Sequence, residues 1–333
     1  MKGACSPWYS RVTVTVTISI GLSLLTACHE PQPRNAGWEN KFSDDVMKEV
    51  TKLRMAPAVI HHDWIRVLGD ANHSGPWYLW SSLPGMNFIK TNIGPSGDLF
   101  VGTVPNSIVV SGLDGKIHWE AVPPSGTITA VALSQEGSEA VFQSRGTSVD
   151  GRFSIYRLGS QDRNPKKLVE FARQKMAGSA GYEDPQSIGW SVDRKHIAYS
   201  DGAAIWSYST ESGITSFVRA GTDPTYSPDG SQIALRNGRG EIEVVKNSVA
   251  VTVISGFQVT SAARWSPDSK LIVCVLEYYY PNVRTAVSGE AIARIAVLRL
   301  RDRAMYVLPG ALHGADANDL GWVHLEKLGT PDR

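Results

Sequence analysis

The sequence predicts an all-β fold: a six-bladed β-propeller of four-stranded antiparallel blades, closed by one blade that the two chain ends share. Three observations predict it. A short aromatic-Ser-Pro-Asp phrase recurs along the chain. Its copies are spaced by about the length of one propeller blade. Apolar, β-branched runs come after each copy, as buried strands require.

The best copies are Trp265-Ser266-Pro267-Asp268 and Tyr226-Ser227-Pro228-Asp229. Trp190-Ser191-Val192-Asp193 lacks the proline, Leu133-Ser134-Gln135-Glu136-Gly137 is further worn, and Ile93-Gly94-Pro95-Ser96-Gly97 lacks the acid. A last remnant is Leu320-Gly321-Trp322-Val323. The residue after the aromatic falls at 94, 134, 191, 227, 266 and 323, in steps of 40, 57, 36, 39 and 57. Six markers predict six blades over residues 58–327.

Turn chemistry explains the phrase. Proline presets φ at the first corner, the acid accepts local backbone hydrogen bonds, and glycine closes the turn at little steric cost. The aromatic ends one strand and can pack between blades. Runs such as Ile233-Ala234-Leu235 and Leu271-Ile272-Val273 then read as buried inner strands. No copy precedes the apolar runs Trp64 to Leu68 and Trp77 to Ser82, so the missing first strand is expected from Asp319 to Val323. A sheet shared in this way leaves no free edge in the ring.

The pattern resembles the Pro-Asp repeat of TolB-like β-propellers over most of the chain, from about residue 58 on. The resemblance implies protein–protein contact at the propeller ends. The chain departs from TolB itself, because it lacks a separate N-terminal α/β domain and carries an apparent lipidation signal. The TolB partner therefore does not transfer. A single stretch from Gly112 to Glu120 is similar to the Leu-Asp…Gly-Lys…Trp phrase of PQQ-like propellers and reads as a third-to-fourth strand turn.

Residues 1–27 read as a signal peptide: Lys2 and Arg11 supply positive charge ahead of the 14-residue apolar stretch Val12 to Leu25, too short to span a bilayer. It ends Leu25-Thr26-Ala27-Cys28, which is similar to a bacterial lipobox and makes Cys28 the expected lipidated residue. An ordinary secretory signal with a fortuitous cysteine is the alternative. His29 in place of Asp favours the outer membrane, on the periplasmic side. Residues 28–41 read as a tether and 42–57 as a helix. Residues 58–327 are the propeller and 328–333 a tail. Cys274 would be the lone thiol left, packed as a small hydrophobe on an apolar strand.

Removing Lys2 and Arg11 changes the net charge from +1 to −1. A near-neutral chain argues against nucleic-acid binding. Among catalytic signatures, the sequence carries no Gly-x-Ser-x-Gly elbow, no His-Glu-x-x-His, no Cys-x-x-Cys and no phosphate loop. No cofactor is expected. His61-His62-Asp63 is a weak metal candidate, because neighbouring strand residues point to opposite faces, and His313 with Asp316 and Asp319 is no stronger.

In a four-stranded blade, the first-to-second and third-to-fourth turns share one end. The second-to-third loops and blade links share the other. Five long insertions (69–76, 143–152, 172–187, 278–291 and 309–318) are expected at this second end. Long loops on a rigid scaffold carry recognition. The candidate partner-binding residues are Tyr278, Tyr279, Tyr280, Arg284, Arg145, Tyr182 and His313, with Arg152, Glu183 and Asp316 beside them. Tyr and Arg are typical interface anchors; equally, Tyr278 can complete the strand that starts at Leu271. The function expected is a non-catalytic envelope lipoprotein that binds a protein or complex. The alternatives are a small-ligand or glycan sensor, or a propeller enzyme.

Overall fold

A computed structural model describes residues 41–61, 64–68, 77–82, 89–105, 107–147, 152–162, 164–174, 187–278, 292–308, 320–324 and 326. The chain enters through a short strand β1 (Lys41–Phe42) and one helix, α1 (Asp45–Lys52). The first sheet takes β2 (Met55–His61), β3 (Trp64–Leu68) and β4 (Trp77–Ser82), together with the last strand, β26 (Leu320–His324). The second is β5 (Lys90–Ile93), β6 (Leu99–Val104), β7 (Ser107–Gly112) and β8 (Ile117–Ala121). The third is β9 (Thr127–Leu133), β10 (Glu139–Arg145), β11 (Phe153–Gly159) and β12 (Lys166–Phe171). The fourth is β13 (Ile188–Trp190), β14 (His196–Ser200), β15 (Ala204–Ser209) and β16 (Thr215–Ala220). The fifth is β17 (Thr222–Tyr226), β18 (Ile233–Arg236), β19 (Ile242–Lys246) and β20 (Val249–Ile254).

These five sheets are four-stranded antiparallel blades, four in simple meander order and the first opened by β26. Five blades of the expected form, not six, are therefore present. The remaining sheet differs in form, with the order β1-β25-β24-β23-β21 and β22 also paired to β23. Its first strand is broken into β21 (Gln258–Val259) and β22 (Arg264–Trp265). Between them the Ser261 hydroxyl accepts from the Val275 N–H at 2.9 Å and replaces a ladder bond. β23 (Leu271–Tyr278), β24 (Ile292–Arg299) and β25 (Ala304–Val307) complete it. β1 then adds a parallel strand outside β25.

Clusters of buried side chains fill the space between successive sheets. β23 shows why its sequence is a continuous apolar run: Leu271, Val273 and Val275 face the first sheet, while Ile272, Cys274 and Leu276 face the fifth. With period 2, a strand buried on both faces has no polar positions to spare. The Cys274 thiol is fully enclosed, and burial pushes its pKa up to about 12.

The phrase forms the first-to-second turn wherever it occurs. In Ser266 the hydroxyl accepts from the Leu271 N–H at 2.9 Å and donates to Asp268 Oδ1 at 2.6 Å. Asp268 Oδ1 in turn accepts from the Lys270 N–H at 3.2 Å. Ser227 and Ser191 repeat this arrangement with Asp229 and Asp193. The fourth residue of the turn has positive φ: Gly97, Gly137 and Gly230, but also Arg194 at 60° and Ser269 at 59°. Glycine takes this conformation readily and other residues do so at a cost.

Two expectations near the N-terminus are corrected. The helix stops at Lys52, and Met55 to Pro57, assigned to it from sequence, begin β2. Met55 and Val59 face one neighbour of the sheet, and Ala56 and Ala58 the other. Pro57 lies opposite Trp322 of β26, and pairing with β3 starts only at Ala58. Trp77–Ser82 is consequently a fourth strand rather than a third.

β26 pairs with β2, Leu320 opposite Val59 and Val323 opposite Ala56. The last strand thus shares a sheet with the first ones, although its partner is Met55–His61 rather than Trp64–Leu68. α1 packs Val46 and Val50 against this sheet and its neighbour. Ser43 provides an N-terminal acceptor, its hydroxyl 3.3 Å from the Asp45 N–H. Among the described residues, no helix is long and apolar enough to cross a membrane.

Candidate functional site

The innermost strands β5, β9, β13, β17, β22 and β26 touch one another in succession, and β26 touches β5 again. A channel cavity lies among them, with room for water-sized molecules in about 80 Å³. Its wall is the residue just before each marker, Ile93, Leu133, Trp190, Tyr226, Trp265 and Trp322, together with the residue before that. Pro95 and Pro228 of the phrase turns also line it, so the cavity belongs to the turn end of the channel.

The residues two before each marker are Asn92, Ala132, Gly189, Thr225, Arg264 and Gly321. Small residues there let neighbouring strands approach: a Cβ on Gly321 would lie 2.7 Å from Ile93 Cβ. Arg264 is the exception and the only charged side chain among the described lining residues. Its Nε donates to the Leu320 carbonyl at 3.2 Å and its Nη1 to the Ser187 hydroxyl at 3.4 Å. With the Asn92 amide oxygen turned toward it, Nη2 lies 3.3 Å from that oxygen. A side chain rooted on β22 thereby reaches the strands of three other sheets.

The tryptophans of the wall fasten neighbouring strands. Trp265 Nε1 donates to the Thr225 carbonyl at 3.2 Å, and Trp322 Nε1 to the Arg264 carbonyl at 3.1 Å. Trp190 holds the same repeat position, yet its buried Nε1 has no hydrogen-bond partner. The Arg157 guanidinium covers its ring, 5.9 Å from the centroid.

Around the turn end, burial pulls the Asp193 and Asp229 carboxyls upward, but hydrogen bonds from the Ser191 and Ser227 hydroxyls and from backbone N–H groups outweigh it. Both carboxyls are held below their ordinary value. These acids are committed to their own turns.

The candidate residues at the opposite end are placed only in part. Arg145 ends β10 opposite Phe153, at the second-to-third end of its blade. Arg152 is nearby and pairs with Glu170 at 3.2 Å. The Tyr278 backbone ends β23 opposite Ile292, so this residue does complete the strand. Tyr279, Tyr280, Arg284, Tyr182, Glu183, His313, Asp316 and Cys28 lie outside the described residues, as do His62, Asp63 and Asp319. Strand order corrects one face assignment. β3 and β4 are third and fourth strands, so the segment 69–76, itself outside the described residues, connects at the turn end. The other four long connections join second to third strands or one sheet to the next. Among the described residues, no group of three or more His, Cys, Asp or Glu could hold a metal ion.

Arg264 stands just ahead of the phrase, and no motif marks it. The detectable signal lies two residues before the marker, where five small or neutral residues contrast with one arginine.

No protein family matches the chain, and no curated protein does. Solved structures do. A putative TolB from Agrobacterium tumefaciens matches at 18% identity and TM-score 0.52, covering 81% of this chain and 97% of that one. TolB from Acinetobacter baumannii matches at 13% and 0.55, covering 81% of this chain and 66% of that one. A chain from a nidogen/laminin complex matches at 12% and 0.52, covering 81% and 97%. Likeness at these identities shows the fold, a TolB-like β-propeller.

Proposed function

We propose that the chain is a non-catalytic scaffold of a bacterial cell envelope, anchored by lipid at Cys28, that binds a protein at the loop end of its propeller. In this reading the six-stranded sheet acts as a sixth blade and the β26–β2 pairing seals the ring. The carrying observation is the connectivity: four of five long insertions leave from the same end of the sheets, while the phrase turns at the other end stay short. A rigid ring with one loop-rich end is a recognition scaffold. One of the matched folds was solved within a complex of two proteins. The described residues around the channel supply fixed hydrogen bonds and apolar contact.

A photo-crosslinker at Tyr279 in native envelopes tests this reading. It is expected to give one defined adduct, which the added change of Tyr280 and Arg284 to Ala abolishes. An adduct unaffected by that change removes the site. Cys28→Ser is expected to release the chain from the membrane fraction, and continued membrane retention refutes the anchor.

A small-ligand sensor is the second reading, favoured by one observation, the cationic side chain inside the channel.

A further inference from the structure

We propose that Val249 and Val251, at the rim between the fifth sheet and the last, form the seat of Trp38 from the same chain. The apolar strip comes first. β20 is the outermost strand of the fifth sheet, and its sequence Val249-Ala250-Val251-Thr252-Val253-Ile254 carries no charge. Natural edge strands are usually guarded by charges or covered. Val251 lies opposite Val244 and Val249 opposite Lys246, so both valines share the face of Val244. Val244 packs in the cluster between the fifth sheet and the last. Deeper in, that cluster is closed, but at the rim Val249 and Val251 are 64% and 42% exposed.

Trp38 lies outside the described residues, but the place from which it comes is fixed. β25 follows the third-to-fourth turn of the last sheet, so it runs from the turn end to the loop end. β1 is parallel to it, and the chain ahead of Lys41 therefore leaves at the turn end. Val249 opens β20 at that same end, just after the Asn247-Ser248 turn. Three residues span at most about 10 Å, which keeps Trp38 near this rim. Register points it the same way. Phe42 pairs with Met305, and Met305 belongs to the cluster shared with the fifth sheet. With a period of two, positions 40 and 38 fall on that face as well. From His29 to Asn40, Trp38 is the one large apolar residue. Packed sheets stand about 10 Å apart, a gap that an indole and a valine fill together. The seat needs no acylation at Cys28. Where the chain is anchored there, a seated Trp38 brings the anchor to the turn end and leaves the loop end facing outward, a consequence that rests on the envelope reading above.

A photo-crosslinking residue in place of Val251, in the full chain purified in detergent, reads the occupant by mass. The expected adduct lies within one chain and carries the tryptic peptide from Asn35 to Lys41, released by cleavage after Arg34 and Lys41. Mixing equal parts of nitrogen-14 and nitrogen-15 protein separates this from a second copy, since only an adduct between chains combines the isotopes. Trp38→Ser is expected to lower the yield at least fivefold, and Trp38→Phe to keep most of it. If the change at 251 unfolds the chain, the more exposed position 249 takes its place. Cys28→Ser should give the same adduct, so loss of the anchor and loss of the seat are read apart. The proposal is overturned by an adduct of mixed isotopes, by one that maps elsewhere in the chain, by one with another protein in native envelopes, by no adduct from folded protein, or by an unchanged yield from Trp38→Ser.

Discussion

The Arg299 guanidinium joins the helix to the sheet edge: its Nη1 lies 3.0 Å from Oε1 of Glu49, 250 residues earlier in the chain. Its remaining donors fork onto Asp302 at 2.9 and 2.7 Å. Arg301 meets the same Glu49 carboxylate. The Arg299 side chain is only 10% exposed, so its charge depends on these partners. Glu49→Gln is expected to lower stability by about 2 kcal/mol, the scale of a partly buried charged hydrogen bond. The double variant with Arg299→Gln should be less destabilised than the two single changes summed. Urea unfolding provides the stabilities, and amide exchange at Val46 and Val50 tells whether the helix undocks first.

Acid should weaken the same corner. Arg299 hydrogen bonding, more than any other influence, lowers the Asp302 pKa from 3.8 to about 2. A carboxyl depressed in the folded chain stabilises it above the ordinary value and loses that contribution as the pH falls through the folded one. Between about pH 4 and pH 2 the parent should lose more stability than Asp302→Asn, and the two should converge near the lower limit. Parallel urea midpoints for both proteins would contradict this.

Ser266→Ala removes a fully buried hydroxyl on which one turn depends. The Leu271 N–H loses its partner, and Asp268 Oδ1 keeps only the Lys270 N–H. A cost of about 1–3 kcal/mol is expected, as for any buried polar group left unsatisfied. Thermal unfolding measures it, and a loss under about 0.5 kcal/mol would mean that water replaces the hydroxyl.

Arg194→Gly should stabilise. Arg194 takes φ 60° in a turn position that three other repeats give to glycine. Relief of that conformation is worth about 1 kcal/mol. The lost ion pairs to Glu136 and Glu139 are solvent-exposed on the arginine side and offset little. A lower melting temperature would instead assign those pairs a real role.

Gly321→Ala probes the seam between the last strand and the second sheet. The new methyl would meet Ile93 Cβ at 2.7 Å, and a β-branched side chain has little freedom to yield. Destabilisation of about 1–3 kcal/mol is expected from overpacking. Proteolysis should then begin near the C-terminal strand, and an unchanged cleavage pattern would show that the seam tolerates the methyl.

The architecture was legible because turn chemistry repeats where packing does not need to. Ser227-Pro228-Asp229-Gly230 announces its corner in any context, and its neighbours at one period imply a ring. The start of the propeller was harder to read. Met55, Ala56 and Ala58 suit a helix as well as a strand, and only pairing with Leu320 to His324 decides between them. That one error moved 69–76 to the wrong end. The broken first strand of the last sheet was hidden for a similar reason, since the Ser261 hydroxyl stands in for a ladder bond that sequence does not reveal. Arg264 was visible as a residue but not as a site, because its setting is assembled from Leu320, Ser187 and Asn92, which are scattered along the chain.

The parallel pairing of Lys41–Phe42 with Ala304–Met305 covers the outer edge of the last sheet, the edge farthest from the inner strands. A pull on Lys41 along the strand axis would load those few backbone hydrogen bonds together, in shear, before it reached any inner strand.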